Sequence, residues 1–493
     1  MKMKVIFNWR HVQMRWILSF TLALGCQADD ASEAPAQTDT SASTTSATTG
    51  TLPGVYAFNS RLDGSDSVSY SGQVFRNLLI SDLKSHLGGV SDRIESGSFF
   101  PVDGDVYDEI DFYLTFNSDT SGPLSPLFGT DLPAEQGTYD DVSSGKNLVD
   151  KLAGNDEAGQ HVDWQNGLVG WDSLPGVTPE QLVRHWADLI DAQAVATANG
   201  NAPLDPNGQP IRSVYLTPEG QDLQQLLEKF LGGAIAFSQG TDDYLDDDLE
   251  DKGLLSDHTN VEEGKNYTAL EHAWDEGFGY FGAARTYGTW TDDEIADLGA
   301  RDIDDSGTID LISEVCFGHS VNAAKRDRGS SSTDPQDFTA EAWEGFVRGR
   351  QLIASTQDAL TTEEMTQLKG WRDQAVTAWE SALSSTVVHY INDVLQDMND
   401  IGTDDYSFAS HAKHWSEMKG FALALQFNPR SPLDDSALEE LHDLMGEAPV
   451  LSTASLDDLN TYAEDLVAAR TLLGDAYGFS DANLGDDSGN NGW

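Results

Sequence analysis

The sequence predicts an all-α fold: a helical domain built of one or two bundles, with long loops and an EF-hand-like calcium loop. Apolar residues recur at helical spacing in three long runs, at residues 222–237, 361–398 and 456–473. Alternation with a period of two, the pattern of half-buried strands, is scarce. Helix-start signals precede several helical stretches. These observations favour helices packed on helices over residues 53–480.

Helix starts are marked by a hydroxyl side chain at the cap position, which can accept a hydrogen bond from a free N–H of the first turn. Such caps are predicted at Thr178 before Pro179, at Thr217 before Pro218, and at Thr361, which forms a capping box with Glu364. No segment of linker composition interrupts the helical region, which favours one domain. The two predicted long loops are residues 97–142 and 197–216.

Residues 1–26 are typical of a bacterial secretion signal. Four cations and no acid precede an apolar run at residues 16–25, which ends in small residues before Cys26. Leu22-Ala23-Leu24-Gly25-Cys26 resembles a lipobox, the motif after which bacterial lipoproteins are cut and diacylated. We therefore predict lipidation at Cys26 and an outer-membrane lipoprotein that faces the periplasm or the cell surface. Ala23 stands where lipoboxes usually carry Leu, so an ordinary signal cut is the alternative.

Both ends of the predicted domain differ from it in composition. Residues 27–52 are rich in Ser, Thr, Ala and Asp and almost lack large apolar side chains, which predicts a flexible stalk from the membrane. Residues 481–493 are rich in Gly, Asn and Asp, which predicts a disordered tail.

The charge of the chain restricts its partners. The formal net charge is −55, and loss of the four cations of the signal takes it to −59. Such a chain repels polyanions, which excludes nucleic acid and leaves metal ions or small ligands as predicted partners, besides the membrane that holds the anchor. The G-x-S-x-G, H-E-x-x-H, Walker A and C-x-x-C motifs are absent, so no catalytic residue is predicted.

Residues 302–310 match the first nine positions of an EF-hand loop, with oxygen-bearing residues at positions one, three and five and a turning glycine at six. Position twelve, where a glutamate normally completes the calcium shell, is Ser313, and Glu314 follows one residue later. We predict calcium binding here, and an acidic turn that caps a helix is the alternative. The candidate calcium ligands are Asp302, Asp304, Ser306, Thr308, Asp310 and Glu314.

Two further segments place imidazoles and carboxylates on helices that otherwise carry aromatic and small residues. Buried charges persist only when they are paired or bound to metal. Facing helices of a bundle build iron or zinc sites from such side chains, whereas buried salt bridges that fix helix register are the structural alternative. The candidate metal or polar cluster consists of Glu271, His272, Asp275, Glu276, His411, His414 and Glu417.

Residues 242–251 contain seven acids within ten positions. This density predicts a solvated acidic loop, with a weak cation site as the alternative.

Four separated blocks resemble the bacterial domain-of-unknown-function family 4856. The blocks are Ser69-Tyr70-Ser71-Gly72-Gln73 with Arg76, Glu271-His272-Ala273-Trp274-Asp275-Glu276 running to Phe281, residues 309–314 running into residues 322–327, and His414-Trp415-Ser416-Glu417-Met418-Lys419. The resemblance spans roughly residues 55–475 and implies no established activity. That family is distantly similar to the imelysin-like proteins, helical envelope proteins tied to iron uptake and once classed as metallopeptidases. Their G-x-H-x-x-E signature is incomplete here, because Ala412 occupies the glycine position before His414 and Glu417.

These features favour a lipid-anchored envelope binding protein with a structural calcium site, linked to metal or iron acquisition by the resemblance. An enzyme is disfavoured. The alternative is a metallohydrolase, an imelysin-like peptidase that uses His272, Glu276, His414 and Glu417.

Overall fold

Helices account for nearly all of the regular structure that the computed structural model describes, which is residues 51–130, 132–156 and 160–493. Within those ranges strand-like pairing is limited to isolated bridges and no sheet forms. The predicted all-α class is therefore confirmed. The predicted signal, Cys26 and all but the last two residues of the predicted stalk lie outside the described residues.

The α-helices are numbered here in chain order. Their bounds are α1 (Ser71–Gly88), α2 (Val90–Glu95), α3 (Asp105–Thr115), α4 (Ser118–Ser121), α5 (Tyr139–Val142), α6 (Pro179–Ala198), α7 (Leu223–Leu231), α8 (Ala269–Phe281), α9 (Asp292–Leu298), α10 (Gly318–Arg328), α11 (Phe338–Ser355), α12 (Thr362–Asp400), α13 (Phe408–Ala424), α14 (Asp435–Met445), α15 (Leu456–Tyr477) and α16 (Asp481–Leu484). Short 3₁₀ turns occupy Val149–Lys151, Gly253–Leu255, Tyr287–Thr289 and Leu425–Phe427.

Two of the three predicted helix starts are confirmed. Thr178 and Thr361 each close a capping box at the start of α6 and α12. The third is wrong, because Thr217 accepts from Gln221 N at 3.2 Å within a turn. α7 starts later, where Asp222 accepts from Gln225 N at 3.1 Å. A threonine–proline pair starts a turn as readily as a helix, so the local pattern did not distinguish the two.

α12 is the long helix around which the core is organised. Its 39 residues span about 58 Å, and it packs against α11, α13, α10 and α15. Trp379, Leu383 and Val387, spaced four residues apart, are fully buried along one stripe.

Residues Leu52–Trp493 form one unit. No helix in the described ranges has both the length and the apolar character needed to cross a membrane.

α7 continues into two consecutive π-helical segments, π1 (Gly232–Phe237) and π2 (Gln239–Tyr244). Two glycines bring this segment close to its neighbours. A Cβ at Gly233 would lie 2.4 Å from the Ala424 side chain, and one at Gly240 would lie 2.7 Å from the Trp379 ring. π-Helical turns occur disproportionately at functional sites, and π2 carries the first acids of residues 242–251.

Two predicted irregular regions differ from the structure. The predicted loop at residues 97–142 contains α3, whose Ile110 and Leu114 are buried. The predicted disordered tail is ordered against the core, because Trp493 is 8% exposed and its Nε1 donates to Arg326 O at 3.0 Å. Asn392 Nδ2 also donates to Trp493 O at 3.2 Å. The burial of Trp493 and these two hydrogen bonds hold the tail on the core, although its composition indicates disorder.

Candidate functional site

Asp302, Asp304 and Glu314 bring three carboxylates together in the loop between α9 and α10. One oxygen from each lies within 4.8 Å of the others. Among the described residues, this is the only group of three or more His, Cys, Asp or Glu side chains with such convergence. Oxygen atoms in this arrangement are the ligands that calcium prefers.

The first half of the loop folds around Asp302. Its Oδ2 accepts from Gly307 N at 2.8 Å and its Oδ1 accepts from Ser306 N at 3.0 Å. The Gly307 N–H lowers the pKa of Asp302, so the carboxylate stays ionised. Asp305 has a φ of 58° and Gly307 a φ of 83°, which curl the chain around the carboxylates.

Glu314 closes the other end of the loop. Its side chain is buried, and it accepts from Ile303 N at 2.8 Å and from Asp310 N at 2.9 Å. The acid that meets Asp302 and Asp304 is therefore the residue after position twelve, as the sequence allowed. Ser313, at position twelve, instead donates to Asp310 Oδ2 at 2.5 Å.

Of the other predicted ligands, Asp310 lies outside this carboxylate group. Asp310 accepts from Gln136 Nε2 at 2.9 Å and from Ile312 N at 3.0 Å, which is an acidic turn. It caps no helix, because residues 311–313 form a turn and α10 begins at Gly318. Ser306 Oγ and Thr308 Oγ1 lie 2.9 Å apart and bond to each other. The acidic turn of the alternative is thus present without the helix it was predicted to cap, and calcium binding stays a prediction.

The loop is joined to a distant segment of the chain. Ile309 forms a parallel bridge with Ala134, and Thr308 Oγ1 donates to Glu135 Oε1 at 3.0 Å. Gln136 Oε1 also accepts from Leu311 N at 2.9 Å. An ion held by the loop would therefore stabilise the contact with residues 133–136 as well as the loop itself.

The predicted histidine and acid cluster is divided among separate networks. Glu271 and Asp275 of α8 pair with Arg350 of α11, which is fully buried. Arg350 Nε donates to Asp275 Oδ1 at 2.9 Å, and Tyr56 Oη donates to the same oxygen at 2.8 Å. This is the structural alternative, a buried salt-bridge network.

His272 and Glu276 lie on the other side of α8. His272 Nδ1 lies 3.0 Å from Ser69 O, and its Nε2 lies 3.7 Å from Glu276 Oε1. The imidazole stacks on the Tyr267 ring with centroids 4.4 Å apart. Both side chains are half-buried and line a cleft.

The α13 residues take partners from other helices. His414 Nδ1 bonds to Asp397 Oδ2 at 2.7 Å. Burial lowers the pKa of His414, but this bond and the charges of Asp397 and Asp393 together raise it. Glu417 lies 3.8 Å from Lys229 Nζ. Burial lowers the pKa of His411 to about 4. His272 and His414 thus bond to different elements, and no ligand group in the described ranges joins them.

The cleft beside His272 and Glu276 has a volume of about 310 Å³ and lies against π2. It is lined by side chains from three stretches, at residues 151–156, 243–256 and 262–276. The segment at residues 242–251 is not the solvated loop that its composition predicts. Asp242 is buried against His161, and Asp247 pairs with Lys369 and Arg372.

Sequence reasoning missed the pair that Asp156 and Asp243 form in this cleft. Both side chains line the cleft. Burial, then the adjacent Asp156 charge, raises the pKa of Asp243 to about 8. Asp243 belonged to a flagged acidic run, whereas nothing in the local sequence around Asp156 marked it.

The fold and the loop define a class: an all-α protein, over the described ranges, with an acidic loop at residues 302–314 and a charged cleft. Residues 179–298 match the family model described as Domain of unknown function (DUF4856). This match confirms the predicted resemblance over that segment, which contains α6 to α9, both π segments and most of the cleft. The acidic loop at residues 302–314 follows the matched segment. No curated protein and no solved structure matches the chain.

Proposed function

We propose that the protein is a lipid-anchored envelope binding protein whose fold is stabilised by calcium in the loop at residues 302–314. The observation that carries the calcium proposal is the convergence of Asp302, Asp304 and Glu314. A link to metal or iron acquisition stays a prediction from the family resemblance.

Electrostatics supports the proposal. Two carboxylates about 4 Å apart repel by about 1 kcal/mol even in water, and more where one is buried, as Glu314 is. A divalent cation converts this repulsion into attraction. The carbonyl of Thr308 and water can complete the shell, as in other loops of this kind.

Calcium is expected to raise the stability of the mature protein. At ten times its dissociation constant, a ligand that binds only the folded state adds about 1.4 kcal/mol to the free energy of unfolding. Asp302→Asn together with Asp304→Asn should abolish this gain, because they remove two of the three converging carboxylates. Urea unfolding with calcium and with excess chelator measures the difference.

Asp305→Asn is the matched control. Asp305 lies in the same loop but outside the carboxylate group, and asparagine tolerates its left-handed backbone. The control should keep the calcium response. An unfolding free energy that calcium leaves unchanged in the wild type contradicts the proposal, and the loop is then only an acidic turn.

The anchor has a separate test. Cys26→Ser removes the thiol that is diacylated in bacterial lipoproteins, so the variant is expected to leave the membrane fraction and become soluble. Fractionation followed by immunoblotting measures the distribution. Wild-type protein already found in the soluble fraction would show that Cys26 is not lipidated.

The metallohydrolase alternative finds no support in the arrangement of its residues. A catalytic metal site needs about three protein ligands around one ion and an open position. His272 and His414 bond to separate partners, and Glu417 is engaged with lysines. We therefore propose no enzymatic activity.

A further inference from the structure

A small cavity lies where α1, α7, π1, α10 and α13 meet. Its volume is about 80 Å³, which is room for a few water molecules or one small ion. Gly232 and Ala236 of π1 and Gly318 of α10 line it without long side chains, and Phe317 and Phe421 form apolar walls. The few polar groups that face this space therefore decide what it can bind.

His319, in the first turn of α10, supplies a hydrogen-bond donor to the cavity. The residue is 7% exposed and is part of the cavity lining. Trp379 Nε1 donates to His319 Nδ1 at 3.0 Å, and because an indole N–H only donates, Nδ1 is the acceptor. Burial, then the charge of Lys229, lowers the pKa of His319 to about 3. The neutral ring therefore carries its proton on Nε2.

Nε2 of His319 has no hydrogen-bond partner among the described residues. It lies beside Gly232, where a Cβ would come within 3.1 Å of it. The glycine thus leaves this nitrogen open to the cavity that both residues line. Buried N–H groups almost always have a partner, so this one points to an acceptor that a ligand supplies.

The start of α10 adds further donors. Its N-cap residue is Phe317, which has no side-chain acceptor, so the first N–H groups of this 11-residue helix are not capped by a side chain. These groups point out of the end of the helix, where the helix dipole also favours negative charge. Gly318 at this end lines the cavity directly.

Lysines around the cavity leave an excess of positive charge. Lys229 lines the cavity, and Glu228, which also lines it, is paired with both Lys229 and Lys84. Glu417 Oε1 lies 3.8 Å from Lys229 Nζ, and its Oε2 lies 3.4 Å from Lys413 Nζ. This linked network contains three lysines and two glutamates, although the chain as a whole has a formal net charge of −55. Repulsion of an anion by more distant acids is screened beyond about 10 Å at about 0.1 M salt.

We propose that this cavity binds a small oxyanion of the phosphate or sulfate class, held by His319 Nε2–H, the first N–H groups of α10 and the charge of Lys229. These groups are donors or cations, so a metal cation does not suit them. An oxyanion has several acceptor oxygens and can meet donors from α7 and α10 at once. The site is separate from the loop at residues 302–314, goes beyond the calcium proposal and does not depend on it.

The Nε2–H proton of His319 is a local probe of the site. In mature protein with isotope-labelled histidine, its magnetic resonance signal is expected to move downfield and saturate as sodium phosphate or, separately, sodium sulfate is added in calcium-free buffer. Sodium chloride at equal ionic strength should not move it. The signal is assigned by its loss in His319→Asn, in which the amide oxygen can still accept from Trp379 Nε1. Titration calorimetry measures the affinity for phosphate.

Substitutions test the geometry. Gly232→Ala places a methyl group beside Nε2 and should weaken phosphate binding by about tenfold or more, although every donor stays in place. Gly370→Ala in α12, where a Cβ meets open space, is the matched control. Lys229→Met should also weaken binding by about tenfold or more. Lys413→Met removes an exposed lysine of the same network and should change the affinity by less than about twofold.

Two results would overturn the site, and circular dichroism confirms that each variant is folded. The first is a His319 signal that responds to neither anion at about 10 mM, where a site with a millimolar dissociation constant is mostly filled. The second is equal phosphate affinity in Gly232→Ala and Gly370→Ala, because the anion then binds outside this cavity.

Discussion

Replacing Arg350 with methionine is expected to lower the free energy of unfolding by about 3–5 kcal/mol. Arg350 is fully buried and pairs with Asp275, which is fully buried, and with Glu271, which is 3% exposed. It also donates to Ser67 Oγ at 2.8 Å. Methionine fills much of the same volume, so the loss arises from two carboxylates left in a low-dielectric interior without a counter-charge.

Two further variants separate charge from packing. Adding Glu271→Gln and Asp275→Asn to Arg350→Met removes the stranded charges and should recover part of the loss. Arg212→Ala removes an exposed pair with Glu95, in which the arginine side chain is 81% exposed, and should change stability by less than about 1 kcal/mol. Chemical denaturation measures all of them. Equal losses for Arg350→Met and Arg212→Ala would contradict the buried network.

Lys419 is expected to make stability depend on pH in the alkaline range. The side chain is fully buried, and its Nζ lies 3.2 Å from His442 Nδ1. Burial lowers the pKa of Lys419 to about 7, from 10.5 in the unfolded chain. Between these two values the unfolded state binds one proton more than the folded state. The free energy of unfolding therefore rises with pH in this window, by up to about 1.4 kcal/mol per pH unit.

Lys419→Met should remove this slope and stabilise the protein most below about pH 7, where the wild type keeps a buried cation. Lys413→Met is the control, because Lys413 is on the same helix but its side chain is 47% exposed. Urea unfolding from about pH 7 to pH 10 provides the slopes. If the unfolding free energy of Lys419→Met rises with pH as steeply as that of the wild type, a group other than Lys419 titrates.

Local signals in the sequence were enough to predict much of the helical framework. The hydroxyl caps at Thr178 and Thr361 act within one helical turn, and both form as predicted. The aromatic residues of the segment that forms α8 were also apparent in the sequence, and Trp274 and Phe278 are fully buried. The convergence of Asp302, Asp304 and Glu314 is similar in kind, since these acids lie within thirteen consecutive positions; calcium binding there stays a prediction. Glu314 was identified as the acid able to replace Ser313.

Long-range partners could not be predicted. The sequence showed that Glu271 and Asp275 need a counter-charge, but Arg350 lies 79 and 75 positions away. Only the packing of α8 on α11 brings Arg350 next to these two carboxylates. Asp156 and Asp243 meet for the same reason. The pattern at residues 222–237 predicted a continuous α-helix, because the shift to π geometry depends on contacts such as Gly233 with Ala424.

Anomalous scattering from crystals of the mature protein grown with calcium is the most direct measurement of the central proposal. We expect a calcium peak between the carboxylates of Asp302, Asp304 and Glu314, with ligand distances of about 2.3–2.6 Å. The peak should be absent in crystals of Asp302→Asn/Asp304→Asn. A wild-type map with no calcium peak in this loop, at a calcium concentration that saturates EF-hand loops, would contradict the proposed calcium site.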